Sequence, residues 1–180
     1  MKTLSSKVVY KTKWFTFYVD EVEFGSGVIQ PYGYVKRPDG VYVAVVNDKD
    51  EILLVRQYRY PIKRLQWEVP GGAISLEESL QESAVRELKE ETGVEVEVVK
   101  LEHLGQWYTS SSLTTEKLDL FWVRVFSEVI ITGHHGDADE EISETKFISF
   151  SKALKMIDSG EIDDIISAHI IQLVARRLKN

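Results

Sequence analysis

The stretch from Gly72 to Val94, GAISLEESLQESAVRELKEETGV, constrains the fold of this chain more than any other. Ser75 with Glu78 three residues on reads as a capping box. Gly93 is a good residue for leaving a helix, so the pattern predicts a helix from Leu76 to Thr92. At about 100° per residue, Leu80, Ala84 and Leu88 form an apolar stripe, with Val85 extending one side. Glu87, Glu90 and Glu91 crowd one turn. Glu87 and Glu91, four apart, share a face at the margin of that stripe, whereas Glu82, Arg86 and Lys89 lie further round, toward solvent. Carboxylates at the edge of a core are costly unless neutralised. Oxygen ligands with no histidine or cysteine nearby suit a hard cation, Mg²⁺ or Mn²⁺, and Mg²⁺ is commonly shared with substrate phosphates. The plainer reading is a solvated acidic helix face, and capping alone would account for Glu78.

The rest of the chain reads as one α+β domain over residues 1–180, with helices on a mixed sheet. Trp14 to Phe24 and Val28 to Lys36 are strand-like, joined at Gly25-Ser26-Gly27; Pro31 and Gly33 point to an edge or irregular pairing. Val41 to Val46 and Ile52 to Val55 are apolar runs typical of buried strands. Gln66 to Val69 is short and extended, and strands are expected at Glu95–Val99, Lys117–Phe126 and Lys146–Phe150. Helices are expected from Ser151 to Asp158 and from a cap at Asp163 or Asp164 to about Leu178. The net charge of −7 disfavours a general nucleic-acid surface. No apolar run approaches a membrane span, the N-terminus has no signal-peptide core and cysteine is absent. A soluble, cytoplasmic protein without membrane or nucleic-acid partners is the expectation.

The spacing carries more. Gly72, Glu78 and Arg86-Glu87-Leu88-Lys89-Glu90-Glu91-Thr92-Gly93-Val94 match the Nudix box at every defined position, so residues 72–94 resemble that motif. Val55-Arg56-Gln57-Tyr58-Arg59-Tyr60 and Trp67-Glu68-Val69-Pro70-Gly71-Gly72 are similar to the ADP-ribose pyrophosphatase, or nucleoside diphosphate sugar hydrolase, branch of that family. The resemblance implies an αβα sandwich, with an N-terminal strand section, residues 1–36, that helps build a homodimer whose subunits share the substrate site. It implies metal-dependent hydrolysis of the diphosphate of ADP-ribose or a related nucleotide sugar, giving a nucleoside monophosphate and a sugar phosphate. Carried over, Glu87, Glu91, Glu90 and the main-chain carbonyl of Gly71 would hold the metal, with Arg86 orienting the glutamates. Arg37, Arg56, Arg59, Glu68, Trp67 and Glu116 would line the substrate. Arg suits a diphosphate through its planar fork, and Trp14, Phe17, Tyr18 or Trp67 offers a face for a base, although strand aromatics usually serve a core.

In the same branch a carboxylate from an acidic loop after the box takes a proton from water. Here that loop is Gly136-Asp137-Ala138-Asp139-Glu140-Glu141-Ile142, with Glu140 first and Glu141 second. His134 and His135 read as exposed bystanders. One segment departs from the branch: Tyr108-Thr109-Ser110-Ser111-Ser112-Leu113 stands where a proline-glycine turn is usual. GDP-mannose or another nucleoside diphosphate hexose, such as a UDP- or ADP-sugar, therefore stays open as substrate, and a dinucleoside polyphosphate or an RNA cap is a separate alternative within the family. A nucleotide-sugar sensor that binds without hydrolysis is the alternative from another class, although a pure binder has no need of the full glutamate set.

Overall fold

Aromatic and β-branched residues draw the N-terminal segment into three strands: β1 (Lys2–Lys11), β2 (Thr16–Glu23) and β3 (Ile29–Lys36). The computed structural model describes residues 1–129, 131–132 and 141–179. The chain divides into two compact units, Met1–Gly40 with Trp107–Leu118, and Val41–Gln106 with Asp119–Asn180.

In the first unit the strands form an antiparallel sheet in the order β1-β2-β3. The hairpin between β2 and β3 closes through Phe24 and Val28, and Gly27 supplies the left-handed backbone (φ 79°) that the turn requires. Tyr18 and Tyr34 sit opposite each other and stack at 5.3 Å. β3 is at the sheet's edge, as Pro31 suggests, yet its pairing with β2 runs without a register shift. The irregularities lie between β1 and β2 instead. Gly33 faces the Phe17 ring so closely that a Cβ there would stand 3.1 Å from it. β1 lies in the N-terminal strand section that the resemblance implies but has no periodic signal of its own, because all of its residues are exposed and no buried face imposes a period of two.

The serine-rich turn belongs to this unit and is fastened to β3. Val35 donates its N–H to the Leu113 carbonyl at 2.8 Å, and Thr115 returns one to the Val35 carbonyl at 3.1 Å. The Tyr32 hydroxyl donates to the Ser112 carbonyl at 2.8 Å.

The second unit contains most of the larger sheet, a mixed one, with β10 (Ile142–Ser149), β5 (Glu51–Arg59), β4 (Gly40–Val46), β9 (Lys117–Arg124) and β8 (Glu102–Tyr108) in that order. β6 (Arg64–Glu68) pairs with β5, and β7 (Gly71–Ala73) pairs with β4. Val41, Val43, Val45, Leu53, Phe121 and Val123 bury one face against Ala84 and Leu88 of α1 (Leu80–Thr92). The alternate residues Ala44, Val46, Ile52, Leu54 and Leu120 are buried too, so the sheet is covered on both faces. α2 (Phe150–Asp158) packs on β5 and β10 and against α3 (Ile165–Arg177). Asp164 caps α3 by accepting the Ser167 N–H at 2.7 Å. The result is the helix–sheet–helix layering of the expected fold.

Three local expectations are corrected. α1 begins at Leu80, not Leu76: the capping box is Ser79 with Glu82, because Glu78 is drawn to Ser83 and Arg86 and cannot return to Ser75. Glu95–Val99 is not a strand but a loop entering a single 3-10 turn at Val98–Lys100, its apolar residues split between the core and solvent. Strand structure appears instead at β8, where Gly105 (φ 137°) interrupts the alternation that would have revealed it. The extended stretch expected at Gln66 to Val69 begins earlier, at Arg64, and a further strand, β7, forms at Gly71–Ala73, where residues without side chains permit close approach to Val41 and Glu87.

Candidate active site

The Pro70–Ala73 segment and helix α1 build the site together. Val43 donates to the Pro70 carbonyl at 2.9 Å, and the Gly71 N–H donates to Glu91 Oε2 at 2.9 Å. A Cβ on Gly71 would lie 2.3 Å from the Val41 carbonyl oxygen, and one on Gly72 would lie 2.4 Å from the Glu87 carboxylate. The two glycines therefore let backbone and carboxylates approach within hydrogen-bond range. The four-residue spacing puts Glu87 and Glu91 on the same helix face, where they are 7% and 2% exposed. The sequence placed them at the margin of the stripe; they lie inside it.

The helical wheel sends Arg86 toward solvent, whereas the family resemblance sets it against the glutamates; it lies at the centre of a carboxylate cluster. Its Nε donates to Glu78 (3.0 Å to Oε2), its Nη1 to Glu87 (2.8 Å) and Glu90 (2.9 Å), and its Nη2 to the Ala73 carbonyl (3.1 Å). Partial burial works against its charge, but the hydrogen bonds and charges of Glu78, Glu87 and Glu90 outweigh it and hold its pKa above the ordinary range. Hydrogen bonds from Arg86 and Ser83 hold the Glu78 carboxyl below its usual value. Ser83, fully buried, donates to Glu78 at 2.9 Å and accepts the Ser75 N–H at 3.2 Å, which fastens the loop to the helix.

Three carboxylates, Glu78, Glu87 and Glu90, thus gather about one guanidinium; with Glu91, one helical turn on from Glu87 and bonded to Gly71, the group carries an excess of negative charge. Among the described residues no group of three His, Cys, Asp or Glu side chains stands converged as a ready metal site. The donor set nevertheless fits a hard divalent cation in charge and chemistry: buried carboxylate oxygens beside a glycine turn, with no sulfur or imidazole.

Arg59 and Glu68 form a forked pair, with Nε to Oε1 at 2.7 Å and Nη2 to Oε2. Glu68 is buried, and its hydrogen bonds and charge overcome the desolvation of Arg59 to raise the arginine's pKa. Arg56 and Trp67 part company with this pair. Arg56 registers opposite Trp67, and Val55 opposite Glu68, so alternation sends Trp67 and Glu68 to opposite faces. Trp67 is 5% exposed, with the Lys146 ammonium 4.5 Å and the Arg56 guanidinium 5.6 Å from its ring centre. In the first unit, Arg37 pairs with the buried Glu116 at 3.4 Å, and the Thr109 hydroxyl donates to the same carboxylate at 3.0 Å. Glu141 is exposed, and its carbonyl accepts the Tyr58 N–H at 3.0 Å. Glu140, His134 and His135 lie outside the described residues.

A family model described as the NUDIX domain matches residues 36–168. The chain belongs to the Nudix hydrolase family. A second model, the nucleoside diphosphate sugar hydrolase N-terminal domain, matches residues 1–35. An ADP-ribose pyrophosphatase of Bacillus subtilis (strain 168) is 31% identical over 172 residues, 95% of this chain and 90% of the relative. A methanol dehydrogenase activator of Bacillus methanolicus is 27% identical, over 96% of this chain and 92% of its own. The crystal structure of an ADP compounds hydrolase superposes with a TM-score of 0.84 at 23% identity, over 99% of this chain and 94% of the other.

Two members of this Nudix site were not singled out from the sequence. Ser83 sits one turn before Glu87 on the buried side, where a small polar residue signals a local hydrogen bond. Tyr42 is the only polar-headed residue in the run Val41–Val46, and its ring would meet a Cβ on Gly71 at 2.7 Å. Burial raises its pKa well above the tyrosine range; Arg59 opposes the shift, and Glu68, Asp164 and Glu91 reinforce it.

Proposed function

We propose that this Nudix pyrophosphohydrolase cleaves the diphosphate bond of ADP-ribose or a related nucleoside diphosphate sugar, releasing a nucleoside monophosphate and a sugar phosphate. The observation that carries the reading is the Arg86-centred carboxylate cluster beside Gly71 and Gly72. It gains support from a relative named ADP-ribose pyrophosphatase that is similar along 95% of the chain. Glu87, Glu91, Glu90 and the Gly71 carbonyl are assigned to a divalent cation, Mg²⁺ first and Mn²⁺ second. Such a cation supplies positive charge that polarises phosphoryl oxygens and acidifies water.

This chain's own groups do the rest. Arg86 sets the orientation of Glu87 and Glu90 through a single guanidinium. Glu140, with Glu141 as second choice, takes the proton from the attacking water. Arg59 and Glu68 recognise the substrate in the second unit, and Arg37 and Glu116 in the first. Arg56 of β5 and Trp67 of β6, paired with each other on the other face of the sheet from Glu68, are the weaker assignments.

The protein acts as a cytoplasmic homodimer in this reading, built on the N-terminal section 1–36 of a single functional domain 1–180. The exposed apolar side chains Leu4, Val8, Val9, Tyr10 and Ile29 on its sheet support this. No helix among the described residues is long and apolar enough to cross a membrane. A second substrate, GDP-mannose or another nucleoside diphosphate hexose, is favoured by the serine turn fastened on β3 in place of a proline-glycine turn.

The test is a panel of ADP-ribose, GDP-mannose, UDP- and ADP-sugars and a dinucleoside polyphosphate, with and without Mg²⁺, and with product identification in H₂¹⁸O. Metal-dependent release of a nucleoside monophosphate and a sugar phosphate is expected. Tight binding of a nucleotide sugar without any turnover would establish the sensor instead.

A further inference from the structure

The serine turn does more than close a loop. With the residues that follow it, it is tied to the chain on both sides of Arg37. Before the arginine, Val35 exchanges hydrogen bonds with Leu113 and Thr115. After it, Asp39 Oδ1 accepts the Lys117 N–H at 2.9 Å. Between these two ties, the Arg37 guanidinium meets Glu116 at 3.4 Å. Glu116 is 7% exposed; its carboxylate takes the Thr109 hydroxyl at 3.0 Å, and its N–H donates to Thr114 Oγ1 at 3.1 Å.

The two ends of this ion pair differ in character. The Arg37 side chain is 53% exposed, and a half-exposed arginine loses little by abandoning a surface pair. Glu116 is buried, so a lost hydrogen bond leaves its carboxylate undersatisfied at a real cost. The direction of the guanidinium is therefore set from the buried end, by whatever fixes Glu116. Thr109 is the side chain that does so.

We infer that Thr109 is a positioning residue for substrate recognition: through Glu116 it aims the Arg37 guanidinium at a phosphoryl oxyanion of a nucleoside diphosphate. A planar fork held at one edge and open at the other suits such an anion. The inference rests on the proposed function, in which Arg37 contacts the substrate. It also gives the departure at Ser110–Ser112 a use: the turn replaces a proline-stiffened one with a turn stiffened by its bonds to β3.

The experiment is a double-mutant cycle on the full-length protein with ADP-ribose and Mg²⁺, comparing native, Thr109→Val, Arg37→Ala and the double variant, with Thr109→Ser as the conservative control. Thr109→Val is expected to raise KM about fivefold, with kcat within about twofold, the size of one ordinary intramolecular hydrogen bond. Arg37→Ala raises KM further, and in that background Thr109→Val adds nothing. Thr109→Ser, which keeps the hydroxyl, restores the native KM. A Thr109→Val effect of equal size with and without Arg37 overturns the relay while leaving the contact by Arg37 intact. An unchanged KM in Arg37→Ala overturns that contact itself, and the relay with it. A fall in kcat alone on Thr109→Val, not rescued by serine, assigns Thr109 to the fold only and overturns the inference.

Discussion

Glu91 accepts the main-chain N–H of Gly71 at 2.9 Å, so one carboxylate oxygen ties helix α1 to the turn that enters β7. The tie needs only an acceptor. The proposed chemistry needs a charge as well, and an amide separates the two.

Glu91→Gln keeps an oxygen that can accept from Gly71 but loses the anion. It is expected to fold like the native protein by circular dichroism and to lose at least about 100-fold in kcat, the scale of removing one electrostatic contributor to catalysis. A variant within tenfold of native turnover would remove Glu91 from its assigned role.

The two box glycines should fail in different ways. A methyl at position 72 first meets the end of the Glu87 side chain, which can swing away, so Gly72→Ala folds with the Glu87 carboxylate displaced and metal-dependent activity lost. A methyl at position 71 meets the Val41 carbonyl, which cannot swing, so Gly71→Ala is destabilised by about 1–3 kcal/mol. Chemical denaturation beside kinetics separates the two; equal stability losses would refute the contrast.

Stability should depend on pH at both ends of the scale. The folded Glu78 carboxyl lies below its ordinary value of 4.5 because Arg86 and Ser83 hydrogen-bond it. Its contribution is present above that value and is lost as pH falls through the lower folded pKa. Tyr42 lies above its ordinary 10.0, mainly through burial, so its contribution is present below pH 10 and fades as pH rises toward the folded value. Thermal melts from pH 3 to 11 should show both limbs. Glu78→Gln should flatten the acid limb and Tyr42→Phe the alkaline one; melts in which neither variant changes its limb would reject the assignment.

Oligomeric state tests the exposed N-terminal sheet. Light scattering after gel filtration should give about twice the chain mass of 20.6 kDa. Val8→Glu with Tyr10→Glu should shift it to the monomer, because charges opposing charges across an apolar contact cost several kcal/mol. A native monomer would leave that sheet without its proposed partner.

The features legible in the sequence were those a periodic pattern records. Ala84 and Leu88 lie where a helical period placed them, and Val41–Val46 is a buried strand because it is apolar without interruption. What escaped depends on choices between near-equal local signals. Ser75-Glu78 and Ser79-Glu82 have the same capping spacing; only the pull of Arg86 on Glu78 decides between them. Arg86 itself looked solvent-facing because a helical wheel takes no account of the Ala73 carbonyl that a neighbouring segment brings to it. Arg56 and Arg59 lie three apart in one motif, yet strand register puts the pairing partners Trp67 and Glu68 on opposite faces. Thr109 and Glu116 meet across a turn that the order of residues does not foretell.

The Val69 N–H donates to the buried Ser167 hydroxyl of α3 at 3.0 Å, across 98 residues of chain. Anyone trimming this protein meets a consequence of that single tie. Tags added beyond Leu178 leave it untouched, whereas a deletion reaching back to Ser167 unfastens the segment that leads into Pro70 and Gly71. A shortened chain of this kind would keep every residue of the glutamate motif and still lack one of the ties that hold the turn beside it, leaving only those to β4 and Glu91.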